Sequence, residues 1–188
     1  MIEVGRFAIF GDWDNTPTPP DKYRINLPPL GHVEGTGWRE VTQAALKELP
    51  FHIVPDCSFA EIGAGSGILS VAAKLLGAGK CYATEINPEA LAAAKKVFSA
   101  NNVEIELIEG TFIKEHVDVA MVSISSTFIK ENYQLIKATK MIAVHDDATI
   151  EIGPPFNHEP ATPKEPISAE VMDMVARVIA QMKADKKL

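Results

Sequence analysis

The sequence predicts a doubly wound α/β domain with a mostly parallel, Rossmann-like sheet. Three observations carry that prediction. From Ser58 to His145 short apolar runs alternate with amphipathic helical patterns, the trace that parallel strands and helical crossovers leave in a chain. The first of these runs passes directly into Gly63-Ala64-Gly65-Ser66-Gly67 and then into a helix, while the second ends on an acid, Glu85. With 188 residues, 46% hydrophobic and 23% charged, the chain suits one domain with a full core rather than disorder.

The elements follow in order. Residues 1–38 read as a strand over Glu3–Gly11, then a proline-rich arm through Asn15-Thr16-Pro17-Thr18-Pro19-Pro20-Asp21, where proline forbids a helix. A helix over Glu40–Glu48 places Val41, Ala44, Ala45 and Leu49 on one side. In the core, residues 39–145, five strands fall at Ser58–Ile62, Lys80–Ile86, Glu104–Glu109, Asp118–Ser123 and Lys140–His145. Helices fill Gly67–Leu76, Pro88–Ala100 and Ser126–Ala138. Pro88 suits a first helical turn because its missing amide has no partner to lose there, and Asn87 caps it. The crossover Gly110–Val117 has room only for a single turn. Residues 146–188 hold a proline-rich loop, Gly153–Pro166, and a helix over Ile167–Lys183. Its apolar stripe, which includes Val171, Val175 and Val178, packs on the sheet. The whole chain, 1–188, reads as a single domain.

Composition excludes several classes. The net charge of −7 opposes the field that draws proteins onto nucleic acid, so a nucleic-acid partner is disfavoured. Cys57 and Cys81 form no Cys-x-x-Cys pair and read as buried thiols. The longest apolar run, Ala90–Ala94, is far short of the roughly 20 residues of a membrane span. The first residues lack a basic region followed by an apolar stretch, and the expected location is the cytoplasm.

The chemistry concentrates at the glycine turn. Alternating glycines let the backbone bend sharply and approach a ligand with no Cβ in the way. That ligand lies against the helix start, and Glu85 is placed to accept hydrogen bonds from both hydroxyls of a ribose. The dinucleotide fingerprint asks for a third glycine where this chain has Ile68, which disfavours a pyrophosphate ligand and a nicotinamide-dependent oxidoreductase.

Glu61-x-Gly63-x-Gly65-x-Gly67 resembles motif I of the class I S-adenosylmethionine-dependent methyltransferases, over roughly residues 35–145. The resemblance implies S-adenosyl-L-methionine as cofactor. It sets Glu61 near the methionine amino group, Gly63, Ala64, Gly65 and Gly67 along the methionine and ribose, and Glu85 with Ile86 at the ribose. Gly110 and Thr111 fall where the adenine is contacted. Gly35-Thr36-Gly37 with Thr42 is similar to the segment before motif I in the bacterial ribosomal-protein lysine methyltransferases, which adds Thr36 and Thr42 to the cofactor set. Against that subfamily, Ser123 replaces the asparagine after strand four, and its amino-terminal substrate domain is expected to be missing. The terminal antiparallel hairpin of strands six and seven is expected to be missing too, because Thr149–Ile152 is too short for both, with Glu3–Gly11 covering the sheet edge instead.

In-line methyl transfer requires alignment and water exclusion more than acid–base groups. The reactive face lies at the carboxyl ends of the strands. That nominates Ser123, Ser125 and Ser126 after strand four and His145, Asp146 and Asp147 after strand five, with Ser123, His145 and Asp146 as catalytic candidates. His145-Asp146-Asp147 offers ligands to a divalent ion, but strand four adds no carboxylate and no metal is assigned. Trp13, Asp14, Tyr23, His32 and Trp38 read equally as a lid or a wall of the acceptor pocket and as anchors that hold the arm on the sheet. The expected strand order is 3-2-1-4-5. The expected activity is methyl transfer to a small molecule or protein side chain, the alternative being a sensor or scaffold that binds the nucleoside without turnover. A homodimer is compatible with this reading.

Overall fold

The computed structural model describes residues 1–11, 13–31, 33 and 36–153. The C-terminal helix expected over Ile167–Lys183, the loop before it from 154 onward, and His32 lie outside the described residues.

A six-stranded sheet forms the centre. In chain order its strands are β4 (Phe59–Ile62), β5 (Cys81–Glu85), β6 (Glu106–Glu109), β7 (Val117–Val122), β8 (Ala138–Val144) and β9 (Ile150–Gly153). They lie in the order β6-β5-β4-β7-β8-β9. The first five are parallel, which is the expected 3-2-1-4-5 arrangement. Thr149–Ile152, too short for a hairpin pair, supplies one strand: β9 runs antiparallel along β8, Val144 opposite Ile150.

Period-two alternation sorts the side chains of the central strand onto two faces. Phe59 and Glu61 face one side, Ala60 and Ile62 the other, and all four are buried. The first face is covered by α1 (Glu40–Glu48), α2 (Ile68–Leu75) and α3 (Pro88–Ala100), through Leu46, Leu69, Val71, Val97 and Phe98. On the second face Ile129 of α4 (Ser126–Asn132) and Ile136 pack on Val122 and Ala143. The helix expected over Ser126–Ala138 is shorter than its pattern. It ends at Asn132, passes through a 3₁₀ turn at Tyr133–Leu135, and Ala138 already begins β8. The crossover Gly110–Val117 holds bends and no helical turn.

Glu3–Gly11 does not reach the edge of the main sheet. It breaks at Gly5-Arg6 into an antiparallel hairpin of β1 (Ile2–Val4) and β2 (Phe7–Gly11), with Val4 paired to Phe7. Gly5 takes φ +54°, the left-handed conformation that two-residue hairpin turns draw from glycine. β3 (Tyr23–Leu27) adds parallel to β2 and completes a separate three-stranded sheet. Phe7, Ile9 and Ile25 bury this small sheet in the same core as α1, α2 and α3. Tyr23 packs against Phe7, with the Arg6 guanidinium 5.1 Å from its ring centre. That contact anchors the arm and builds no pocket wall. Trp13 and Trp38 are 75% and 72% exposed, and Asp14 pairs with the amino terminus and caps Thr16.

Cys57 and Cys81 are free and buried; burial pushes both thiols up, Cys81 to about 12. Among the described residues no helix is long and apolar enough to cross a membrane.

Candidate functional site

The sheet reverses its winding direction at β4, which has β5 on one side and β7 on the other. In an open α/β sheet this is where the loops diverge and leave a crevice at the carboxyl ends of the strands. A cleft of about 310 Å³ occupies it, a size suited to a small molecule. Its lining comes from α1 and the residue before it, the glycine turn and the first turn of α2, and the ends of β4, β5, β7 and β8 with the residues that follow them.

The glycine turn is held before any ligand is considered. The Gly63 and Ala64 amides both donate to the Thr84 carbonyl, at 3.0 and 2.8 Å, so the chain leaving β4 stays tied to β5. Gly63 has φ +76°, and a Cβ there would stand 2.3 Å from Cγ2 of Ile124. Gly65, at φ +54°, donates its amide to Oε2 of Glu85 at 2.8 Å. Gly67 does a different job. It is the residue that opens α2, and a Cβ on it would meet the Phe98 ring at 2.4 Å. Its bareness lets α3 approach the turn, and it does not line the cleft.

Two of the acids in the cleft, Glu61 and Glu85, have opposite environments. Glu61 is 2% exposed, with Oε2 accepting from the Ser70 hydroxyl and, at 2.8 Å, from the Ser70 amide. Burial outweighs those bonds and pushes its carboxyl up to about 7, with the neighbouring Glu85 charge acting in the same direction. Glu85 is half-buried. Its Oε2 takes the Gly65 amide and its Oε1 takes the amides of Ile86 and Asn87, each at 2.8 Å. Three of the roughly four acceptor positions of that carboxylate are thereby in use.

Of the other candidates, Thr42, Ser123, Ser125 and Asp146 line the cleft. Thr36, Ile86, Gly110, Thr111 and His145 do not. Ile86 is 48% exposed and reaches the site only through its amide. Gly110 donates to the Glu85 carbonyl and the Thr111 carbonyl accepts from the Thr84 hydroxyl, so this pair braces β5 from the β6 side. The His145 ring turns to β9, with Nε2 3.3 Å from Glu151. The His145 carbonyl and amide close the turn between β8 and β9, and the Asp147 carboxylate accepts the Thr149 hydroxyl and amide within it. These bonds hold the exposed Asp147 carboxyl below its ordinary value. The Ser125 hydroxyl caps α4 by accepting from the Phe128 amide. Among the described residues no three His, Cys, Asp or Glu side chains are grouped to hold a metal ion.

Sequence reasoning missed Arg39, Val41, Ile68, Leu69, Ile124 and Val144 as lining residues. Ile68 and Leu69 were within reach, because they continue directly from the glycine turn into α2. Nothing local distinguishes the other four from ordinary surface or core positions.

Comparison with known proteins gives a consistent result. The family described as ribosomal protein L11 methyltransferase (PrmA) matches residues 2–149. A ribosomal protein L11 methyltransferase of Caldicellulosiruptor saccharolyticus is 37% identical over 131 residues, 68% of this chain and 43% of the relative. One from Carboxydothermus hydrogenoformans is 38% identical over 136 residues, 69% and 44% of the two chains. This chain therefore spans less than half the length of these curated relatives. The crystal structure of a ribosomal protein L11 methylase from Lactobacillus delbrueckii subsp. bulgaricus superposes with a TM-score of 0.66 at 27% identity, covering 73% of this chain and 75% of that one.

Proposed function

The chain belongs to the ribosomal protein L11 methyltransferase (PrmA) family, and from that premise we propose that it is an S-adenosyl-L-methionine-dependent methyltransferase acting on a protein side chain or a small molecule. The observation that carries the reading is the cleft itself, where side-chain-free backbone at Gly63 and Gly65 faces two acids, Glu61 and Glu85. The residues present fit the cofactor. A Cβ at Gly63 would collide with Ile124, so only glycine keeps that turn closed. Glu61 is a buried carboxyl that gains a reason to ionise when an ammonium approaches. Glu85 keeps an acceptor position for a ribose hydroxyl beside the three amides it already holds.

When bound, S-adenosylmethionine supplies a methyl group already activated by a sulfonium. The work left to the protein is alignment and exclusion of water. Glu61 neutralises the ammonium, Glu85 fixes the sugar, and Ile68, Ile124 and Val144 supply the apolar lining. Ser123 and Asp146 line the cleft as the polar groups that meet the acceptor, and Asp146 is the one able to take its proton. In this reading Thr42, which lines the cleft, joins Glu61 in meeting the methionine portion, while Ala64 completes the turn.

One observation favours a second reading, a sensor that binds the nucleoside without turnover: the only histidine among the catalytic candidates faces Glu151 and not the cleft. Calorimetric titration tests the cofactor that both readings share. We expect heat with S-adenosylmethionine and S-adenosylhomocysteine and none with NAD. Glu85→Ala is expected to weaken that binding by about 1.5–3 kcal/mol, the range for a hydrogen bond to a charged group. A labelled-methyl assay with ribosomal protein L11, the acceptor for which the relatives are named, and with small amines then decides turnover. Persistent binding without product selects the sensor.

A further inference from the structure

We propose that the Ser70 hydroxyl is a positioning group for the cofactor: it fixes Glu61 and favours the ionised carboxylate that neutralises the ligand's ammonium, without touching the ligand itself. This rests on the cofactor reading above. Ser70 is fully buried and does not line the cleft. Its amide and its hydroxyl both donate to Oε2 of Glu61, which does line the cleft.

The pairing follows from the way α2 begins. Gly67 opens that helix and has no side chain to cap it. The first amides of a helix find no partner inside it, and those of Leu69 and Ser70 turn to the Glu61 carboxyl instead. A residue of β4 thus caps α2, and the positive end of the helix favours its charge. Removal from water and the Glu85 charge act against that and bring the carboxyl to about 7. The other groups around Glu61 are Cys81 of β5, a thiol pushed up to about 12 and therefore neutral, and Arg39 and Asp146, which share the cleft. Its strand neighbours Ala83 and Met121 carry no charge. Lys74 of α2 lies in the last turn, with its ammonium on the Gly79 carbonyl. None of these changes when residue 70 is replaced, and the two amides stay as well. The hydroxyl is the donor that a substitution removes. A hydroxyl can also accept from a protonated acid, but its bond to the charged form is the stronger. Its loss therefore raises the pH at which Glu61 ionises.

The test uses two ligands that differ at the amino acid. S-adenosylhomocysteine carries the ammonium, whereas 5′-methylthioadenosine keeps the adenosine and the thioether and lacks the amino acid altogether. Both are titrated calorimetrically into the full chain and into Ser70→Ala across the range from about pH 6 to about pH 8.5. Ser70→Ala is expected to move the rise in S-adenosylhomocysteine affinity up by about one pH unit, the difference between a charged and a neutral hydrogen bond. Binding is then about fivefold weaker near pH 7 and recovers to within about twofold by pH 8.5, while 5′-methylthioadenosine is unchanged at every pH. Ser70→Cys, whose thiol is a weak donor, is expected to fall between the two proteins and carries the same comparison should Ser70→Ala fail to fold. A merely structural role for Ser70 would weaken both ligands alike at every pH. That result, or an unmoved profile, overturns the assignment while leaving the cofactor reading in place. A full chain that binds neither ligand overturns both.

Discussion

Glu61 holds its proton in a place where its sequence neighbours give no reason to expect one. It sits on a four-residue strand that is buried throughout, and removal from water outweighs two bonds from Ser70 to bring its carboxyl to about 7. A carboxyl raised above its unfolded value makes the folded state bind the extra proton. Its contribution to stability is fully present below about pH 4.5 and is lost as pH rises through about 7. The span corresponds to about 3 kcal/mol. Urea denaturation at pH 5 and pH 8 should reveal that loss in the native protein, and Glu61→Gln, which cannot ionise, should flatten it. Cofactor affinity should move the opposite way, tightening as pH rises through 7, because only the ionised carboxylate neutralises an ammonium. The position of Glu61 two residues before Gly63 is readable from the chain; its proton is not, because burial depends on α2 closing over that face.

Elements show the same division between local and distant causes. The boundaries of α3 were legible to the residue, since Asn87 caps it by accepting from the Glu89 amide and Pro88 occupies its first turn. Both signals act within three residues. The break of Glu3–Gly11 into a hairpin was hidden, because Gly5-Arg6 interrupts an apolar stretch that continues on both sides and the strand that completes the sheet lies beyond the proline arm. That arm is tied down at the end of α3. The Asn101 side chain donates to the Asn26 carbonyl and accepts from the Asn26 amide, both at 2.8 Å, replacing the strand neighbour that β3 lacks on that side. Asn101→Ala leaves both backbone groups of Asn26 unpaired and is expected to cost about 1–3 kcal/mol, read as a shift in the urea midpoint without a change in slope.

For the whole molecule, the alternation of strands and helices pointed to a parallel sheet with helical crossovers, and the methyltransferase resemblance pointed to the order of its five parallel strands. The cleft was half legible. The glycine turn and Glu85 belong to one continuous motif, whereas Arg39, Ile124 and Val144 come from three distant segments that only the folded sheet gathers. The sheet also sets an order of stability. β4 is buried along its length and flanked on both sides, whereas β6 lies at an edge and its ends are exposed. Native-state hydrogen exchange should find the β4 and β7 amides opening only with global unfolding and those of β6 opening earlier; equal protection throughout would contradict this ordering. The bond from the Gly65 amide to Glu85 bears on kinetics as well. Because the turn is already drawn onto the strand that meets the sugar, an arriving nucleoside spends little of its interaction free energy on ordering backbone. Encounter should therefore resemble docking into a preorganised cradle, and sequence changes around the turn should register chiefly in how long the ligand stays.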